Sequence, residues 1–200
     1  MPFRAFDTGL PGVLLVEPQA FGDARGLFYE SWHARDFAAM GIDLPFVQDN
    51  HSVSSGGVLR GLHYQREQVQ GKLVRVIAGE IFDVAVDVRR SSSHFGRWTG
   101  QFLSADNRRQ LWVPPGFAHG FLVVSDRAEV LYKTTDYYAP QHERVIAWND
   151  PAIGIEWPLR ALASPFPDDP EAPRQASNPG PTLSARDRAG LPLAQAEVFP

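Results

Sequence analysis

The chain has 200 residues, 44% of them hydrophobic, and a formal net charge of −4. A chain of this length without a break in composition is expected to form one domain over residues 1–200. The negative charge argues against general nucleic-acid affinity, which needs a basic face. Because cysteine is absent, a disulfide framework and a thiolate zinc site are excluded. No signal peptide and no membrane-spanning apolar run is visible, so we expect a cytoplasmic protein without membrane contact.

Short runs rich in Val, Ile, Phe, Leu and Tyr alternate with clusters of Gly, Pro, Asp, Asn and Ser, a pattern typical of β-strands. In chain order the predicted strands are 12–17, 26–31, 46–54, 58–65, 72–78, 80–88, 97–104, 110–113, 117–124, 128–135 and 143–148. Many short strands with few helices predict an all-β fold, a sandwich or barrel of jelly-roll type.

The segment IFDVAVDV, residues 81–88, has the clearest strand pattern. Its Phe and Val side chains from 82 onwards fall on one face, and Asp83, Ala85 and Asp87 fall on the other. Gly79 stands just before it and after KLVRVIA, which predicts a hairpin turn between the two strands.

Two short helices are predicted. The first covers residues 33–40 and is ended by Gly41. The second follows Ser184 as N-cap, with Asp187 at the third helical position in a capping-box arrangement. The stretch before it, about 161–181, is rich in Pro, Ala, Asp and Ser and is interpreted as an irregular excursion of the same domain.

The strand GVLRGLHYQ, residues 57–65, contains an arginine and a histidine within an apolar pattern. Simple alternation puts Arg60 and His63 on opposite faces, unless Gly61 forms a bulge that brings both to one cavity. A buried cation needs an anion. We therefore expect one of three arrangements for Arg60 and Lys72. They pair with carboxylates such as those of the 81–88 strand, they point outward, or they bind an anionic ligand.

His119 lies in PPGFAHGF, residues 114–121, whose spacing is similar to that around one metal-binding histidine of cupin barrels. A metal needs three or four ligands. Metal cupins supply more of them from an H-x-H motif, where this chain has His63-Tyr64-Gln65 with one histidine. We therefore predict no metal site, and His119 is either a hydrogen-bonded barrel residue or faces an anion.

Other polar and aromatic residues are candidates for binding. Tyr132 stands in an apolar strand, where its hydroxyl needs a partner, although a core aromatic is the commoner case. Tyr138 follows at the strand end, where a ring face is available for stacking. Gln48 and Asn50 share one strand face and suit hydrogen bonding to a sugar or phosphate, unless they are simply solvated.

Seven motifs together resemble the dTDP-4-dehydrorhamnose 3,5-epimerase family. They occupy residues 21–30 (FGDARGLFYE), 48–52 (QDNHS), 57–65, 70–76 (QGKLVRV), 114–121, 131–140 (LYKTTDYYAP) and 148–158 (WNDPAIGIEWP). The similarity resumes at LSARD, residues 183–187, where the family usually has Lys in place of Arg186. The resemblance implies a cupin-type jelly roll, a homodimer, a nucleotide-sugar substrate and no cofactor.

The resemblance also implies roles for individual residues. His63 matches the family's general base and Asp187 the carboxylate that orients it. Tyr132 matches the residue that returns a proton on the other sugar face, and Lys72 the cation beside the C4 oxygen. The substrate-binding matches are Arg60, Gln48, Asn50 and His119, Tyr138 near the thymine, and Arg25, Phe28 and Glu30, which reach the nucleotide across the dimer interface.

The expected reaction converts dTDP-4-dehydro-6-deoxy-D-glucose to dTDP-4-dehydro-L-rhamnose by inversion at C3 and C5. Lys72 would stabilise the enolate formed when His63 removes a proton beside the ketone. Three alternatives stay open at this point: an enzyme that inverts C3 or C5 alone, a metal-dependent cupin, and a non-catalytic cupin that binds nucleotide sugars.

Overall fold

The computed structural model describes residues 2–159 and 180–200, which contain thirteen strands and two α-helices. The strands are β1 (Phe3–Asp7), β2 (Leu14–Pro18), β3 (Phe21–Asp23), β4 (Gly26–Phe28), β5 (Gln48–Ser55), β6 (Leu59–Gln65), β7 (Lys72–Ala78), β8 (Glu80–Asp87), β9 (Trp98–Ser104), β10 (Gln110–Val113), β11 (Phe117–Val123), β12 (Arg127–Thr134) and β13 (Glu143–Val145). The helices are α1 (Ala34–Ala39) and α2 (Ala185–Arg188), with short 3-10 turns at Pro140–His142 and Leu193–Gln195.

The strands form two antiparallel sheets and a separate hairpin. One sheet has the order β1-β2-β10-β7-β12-β5, the other has the order β13-β6-β11-β8-β9, and β3 pairs with β4. From β5 to β8 the chain changes sheet at every connection, as it does in a jelly roll. The predicted all-β sandwich is therefore confirmed. The excursion predicted at 161–181 lies, up to residue 179, outside the described residues.

Apolar side chains fill the space between the two sheets and also cover their outer faces. The central cluster joins residues from both sheets, such as Val74 and Leu111 from one and Ile81 and Phe121 from the other. A second cluster covers the outer face of the five-stranded sheet, and α1 covers part of the six-stranded sheet through the fully buried Phe37. The inner faces therefore carry both the core and the polar side chains described below.

Strand β8 confirms the predicted alternation, but both of its faces are buried. Phe82 and Val84 belong to the outer cluster, whereas Ile81 and Ala85 belong to the central one. The carboxylate Asp83 therefore points between the sheets and is fully buried. A buried carboxylate is costly without compensation, so this position calls for a specific partner.

The hairpin predicted at Gly79 is wrong. β7 belongs to the six-stranded sheet and β8 to the five-stranded sheet, so the turn joins two sheets. Gly79 has φ of +75°, and a Cβ there would lie 1.9 Å from the carbonyl oxygen of Arg127. The glycine is therefore required by a close backbone approach at the corner of the sandwich.

The predicted bulge at Gly61 is confirmed by the pairing of β6 with β11. His119 pairs with His63, but Phe121 pairs with Arg60, so β6 has one more residue than β11 in this interval. Gly61 and Gly120 meet there, and a Cβ on Gly61 would lie 2.5 Å from the Cα of Gly120. The extra residue changes the alternation along β6.

The helix predicted at 33–40 is found as α1, with His33 as N-cap: its Nδ1 accepts a hydrogen bond from the Asp36 amide at 3.4 Å. The strand predicted at 26–31 is found as β4, which is shorter than predicted, ends at Phe28 and pairs with β3. No helix within residues 2–159 and 180–200 is long and apolar enough to cross a lipid bilayer.

Candidate active site

His63 on β6 forms a close pair with Asp187 on α2. The Nε2 atom of His63 lies 2.6 Å from Oδ1 of Asp187, although 124 residues separate them in the chain. The side chain of His63 is 28% exposed and that of Asp187 is 4% exposed. Because the carboxylate accepts the Nε2 proton, the other ring nitrogen, Nδ1, is left as a proton acceptor.

The capping box predicted for α2 is confirmed, and it holds Asp187 in place. Ser184 Oγ accepts a hydrogen bond from the Asp187 amide at 3.1 Å, and Asp187 Oδ2 accepts from Ser184 Oγ at 2.5 Å. The Gly61 amide donates to Oδ1 at 3.2 Å. Burial raises the pKa of Asp187, but these hydrogen bonds and the one from His63 outweigh it and lower the pKa to about 2.

Lys72 at the start of β7 is a buried cation. Its side chain points inward, since it shares a face of β7 with Val74 of the central cluster, and the residue is 9% exposed. The carboxylates considered as partners bond elsewhere: Asp83 holds His119, and Asp87 holds Arg89 at 2.7 Å. The described hydrogen bond of the Lys72 ammonium is a long one, 3.4 Å to the carbonyl oxygen of His63. Burial lowers the pKa of Lys72 to about 8, opposed by the nearby carboxylates of Glu143 and Asp83.

His119 on β11 lies opposite His63 and forms a second histidine–carboxylate pair. Its Nε2 lies 2.7 Å from Oδ1 of Asp83, and both side chains are buried. The structure thus sets two such pairs on neighbouring strands. Among residues 2–159 and 180–200, no three histidine or acidic side chains are grouped as ligands for a metal ion.

Tyr132 on β12 is partly buried, and Arg60 on β6 is exposed at the edge of the same surface. Burial raises the pKa of Tyr132, and the positive charge of Arg60 opposes that shift. The guanidinium of Arg60 donates to Ser54 Oγ at 3.0 and 3.1 Å. Arg60 lies on the same side as His63, because its pairing partner Phe121 belongs to the central cluster between the sheets.

A pocket with a volume of about 290 Å³ opens beside these groups; it is lined by Gln48, Asn50, Gln70, Tyr132, Tyr138 and Glu143. The Gln48 amide donates to Asn50 Oδ1 at 2.9 Å, and its carbonyl oxygen accepts from the Tyr138 amide at 3.0 Å. The Tyr138 ring is half exposed. Amide groups, a phenol and an aromatic face together suit a sugar attached to a nucleotide.

Two charged residues of this site were not identified from the sequence. Glu143 on β13 lies with Oε1 4.0 Å from Nδ1 of His63, and its Oε2 accepts from the Tyr138 hydroxyl at 3.1 Å. Arg186 on α2 forms an ion pair with Glu143 and donates to the Tyr138 hydroxyl at 3.1 Å. Glu143 belongs to none of the recognised motifs, and the signal available for it was its place at the start of a predicted strand.

The three remaining predicted residues are not among those that line the pocket. Arg25, Phe28 and Glu30 are exposed on or just after the β3–β4 hairpin. Arg25 pairs with Asp23 within the hairpin. No hydrogen bond among the described residues joins these three side chains to the pocket of the same chain.

Comparisons with known proteins establish the family. The family model for dTDP-4-dehydrorhamnose 3,5-epimerase matches residues 7–195. The enzyme of that name from Pseudomonas aeruginosa is 53% identical over 198 residues, which cover 98% of this chain and 99% of the relative. The chain belongs to the dTDP-4-dehydrorhamnose 3,5-epimerase family. The prediction of a carbohydrate epimerase is thereby confirmed.

Solved structures agree with the cupin-type fold of the family. The dTDP-6-deoxy-D-glucose-3,5-epimerase of Legionella pneumophila, in complex with dTDP-4-keto-L-rhamnose, has a TM-score of 0.86 and 45% identity, covering 98% of this chain and 95% of that one. A 3'-monoepimerase from Streptomyces bikiniensis in complex with dTDP-quinovose is also similar. Its TM-score is 0.77 and its identity 34%, covering 93% of this chain and 86% of that one. The fold therefore accommodates enzymes with different numbers of inverted carbons.

Proposed function

We propose that this chain inverts C3 and C5 of dTDP-4-dehydro-6-deoxy-D-glucose and produces dTDP-4-dehydro-L-rhamnose for dTDP-rhamnose biosynthesis. The observation that carries the proposal is the 2.6 Å pair of His63 with Asp187, beside a pocket that Tyr132 and Glu143 line. The buried ammonium of Lys72 contacts the backbone of the same histidine. Such a set contains a base, an acid and a cation. These groups are what proton exchange beside a ketone requires.

The first step is proton removal by His63. Its Nδ1 takes the proton from the carbon next to the C4 ketone, and the C–H electron pair moves to form an enolate with the negative charge on the C4 oxygen. Asp187 stabilises the imidazolium that results, because its lowered pKa keeps it ionised. Lys72 stabilises the oxyanion, an interaction that is stronger in a dry cavity than in water.

The second step is protonation from the opposite face. The Tyr132 hydroxyl gives its proton to the enolate carbon, and the ketone re-forms with the inverted configuration. The raised pKa of Tyr132 keeps it protonated, as an acid must be at neutral pH. The tyrosinate and the imidazolium then return to their starting states by exchange with solvent. Repetition at the second carbon completes the reaction, and neither step requires a metal or a redox cofactor.

The rest of the substrate is bound by groups around the pocket. We infer that Arg60, His119, Gln48 and Asn50 contact the sugar and diphosphate, and that Tyr138 stacks against the thymine. We infer that Arg25, Phe28 and Glu30 contact the nucleotide bound by a second copy in a homodimer, since they are exposed and do not line the described pocket of their own chain. The enzyme acts as a single domain in the cytoplasm.

A second candidate is inversion at one carbon, which is favoured by the similarity to the Streptomyces bikiniensis 3'-monoepimerase. Proton NMR of the substrate with the purified protein in deuterated water separates the two. The proposal predicts deuterium at both C3 and C5. Deuterium at one carbon would assign the second candidate, and no deuterium in a folded protein would overturn both.

A further inference from the structure

Asp83 is a buried carboxylate with one oxygen bonded and one not. It is fully buried on β8, and its Oδ1 lies 2.7 Å from Nε2 of His119. Its Oδ2 has no hydrogen-bond partner among the described residues. An ionised oxygen in such a place is destabilised unless a positive charge is close by.

Lys72 has the complementary feature. Its ammonium is buried, and the hydrogen bond described for it is the 3.4 Å contact with the His63 carbonyl oxygen. Both side chains lie on the inner faces of the two sheets. The Lys72 ammonium contacts the backbone of His63, His63 lies opposite His119, and His119 bonds Asp83, so the two charges belong to one cluster. Burial lowers the pKa of Lys72, and the charges of Glu143 and Asp83 oppose that shift. The charge of each group therefore offsets part of the cost of burying the other.

We propose that Asp83 is a positioning residue of the active site, which holds His119 with one carboxylate oxygen and with the other keeps Lys72 in its ammonium form. This inference rests on the proposed function for its catalytic consequence, because a neutral Lys72 would stabilise the C4 oxyanion poorly. Glu143 on β13 acts on Lys72 in the same direction. The other titratable or charged groups of the site are Arg60, His63, His119, Tyr132, Tyr138, Arg186 and Asp187.

Direct titration of Lys72 tests the proposal without relying on activity. The chain has two lysines, Lys72 and Lys133, so labelling of lysine with 13C at Cε gives two side-chain signals. Lys133 is paired with Asp49 on the outer surface at 3.0 Å and serves as an internal reference. Lys72→Arg assigns the signals. In the unmodified protein we expect a Lys72 midpoint at about pH 8.

The decisive variant is Asp83→Asn, which keeps the shape of the side chain and removes its charge. We expect the Lys72 midpoint to fall by about one pH unit, because an opposite charge has been lost. Asp87→Asn is the matched control: Asp87 is equally buried on the same strand but bonds Arg89 and Ser92. It should leave the Lys72 midpoint unchanged. Asp83→Ala removes the same charge and replaces the amide variant if that variant does not fold.

The pH dependence of exchange then tests the catalytic consequence. In Asp83→Asn the alkaline decline of kcat should begin about one pH unit lower than in the unmodified enzyme, with less effect on KM. An unchanged Lys72 midpoint in the variants without the Asp83 charge would overturn the inference, whatever the activity. A lowered midpoint in the variants, together with no proton exchange by the unmodified protein, would support the charge pairing and overturn the proposed function.

Discussion

At the scale of single residues, Asp187 contributes both to the stability of the fold and to the proposed chemistry. One of its oxygens bonds His63 and Gly61, and the other bonds the cap of α2. Its pKa falls from 3.8 to about 2 on folding. The ionised carboxylate therefore stabilises the protein above pH 4, and this contribution is lost as the pH falls through 2.

We expect Asp187→Asn to remove that pH dependence. From the pKa difference, the unmodified protein should lose about 2 kcal/mol more unfolding free energy than the variant between pH 6 and pH 2. Urea unfolding at several pH values measures the difference. Asp43→Asn, at an exposed position, is the control and should follow the unmodified protein. Parallel curves for Asp187→Asn and the unmodified protein would contradict this role of the carboxylate.

Prediction from the sequence was most successful for residues within ordered motifs. His63 and Asp187 were predicted as partners by family resemblance, and Ser184 was predicted as a cap by its spacing alone. Glu143 was missed, because a carboxylate in a short polar strand looks like any solvated residue. Its significance depends on the fold, which brings β13 beside β6.

At the scale of elements, the close pairing of β6 with β11 determines where the site residues on these two strands lie. Both strands carry a glycine where their backbones approach each other. A Cβ on Gly120 would lie 2.7 Å from the Arg60 carbonyl oxygen and 3.0 Å from the Gly61 Cα. Backbone atoms cannot move aside as a flexible side chain can, so the spacing of the two strands depends on glycine.

Gly120→Ala should therefore destabilise the protein by about 2 kcal/mol, a typical cost of overpacking. Chemical denaturation measures the loss, and the folded variant should also exchange substrate protons more slowly because β6 carries His63. The control is Gly180→Ala, since a Cβ at Gly180 has nothing within 4 Å among residues 2–159 and 180–200. Equal stability of the two alanine variants would show that the strands tolerate a wider spacing.

Local patterns predicted strands better than their pairing. The alternation of β8 was correct because side chains in any strand alternate. The hairpin at Gly79 was wrong because a turn signal does not tell whether the next strand stays in the same sheet. The edge strand β1 was missed, since four of its five residues are exposed and give no apolar alternation.

At the scale of the whole molecule, the exposed apolar side chains of the β3–β4 hairpin are not explained by the structure of a single chain. Phe21, Leu27 and Phe28 are more than half exposed on it. Exposed apolar side chains grouped in this way mark an interaction surface. A homodimer in which each hairpin contacts the partner's nucleotide site would account for them. The motif in the sequence predicts these residues, but it does not predict which surface of the partner they contact.

Mixing two inactive variants tests this shared site. Arg25→Ala impairs the hairpin and His63→Ala impairs the pocket, so a mixed dimer has one intact site. If subunits exchange at random, half of the dimers are mixed, and the mixture should regain about a quarter of the unmodified activity. The control is a mixture of Lys72→Ala with His63→Ala, which leaves no pocket intact. Equal activities of the two mixtures would place the hairpin outside the partner's site.

The central claim is that His63 is the base that removes the sugar protons. The most direct measurement is deuterium incorporation from solvent into dTDP-4-dehydro-6-deoxy-D-glucose by His63→Ala and the unmodified protein, together with dTDP affinity for both. The account predicts deuterium at C3 and C5 with the unmodified protein, loss of exchange at both carbons in the variant, and nearly unchanged nucleotide binding. Continued exchange by His63→Ala at either carbon would contradict it.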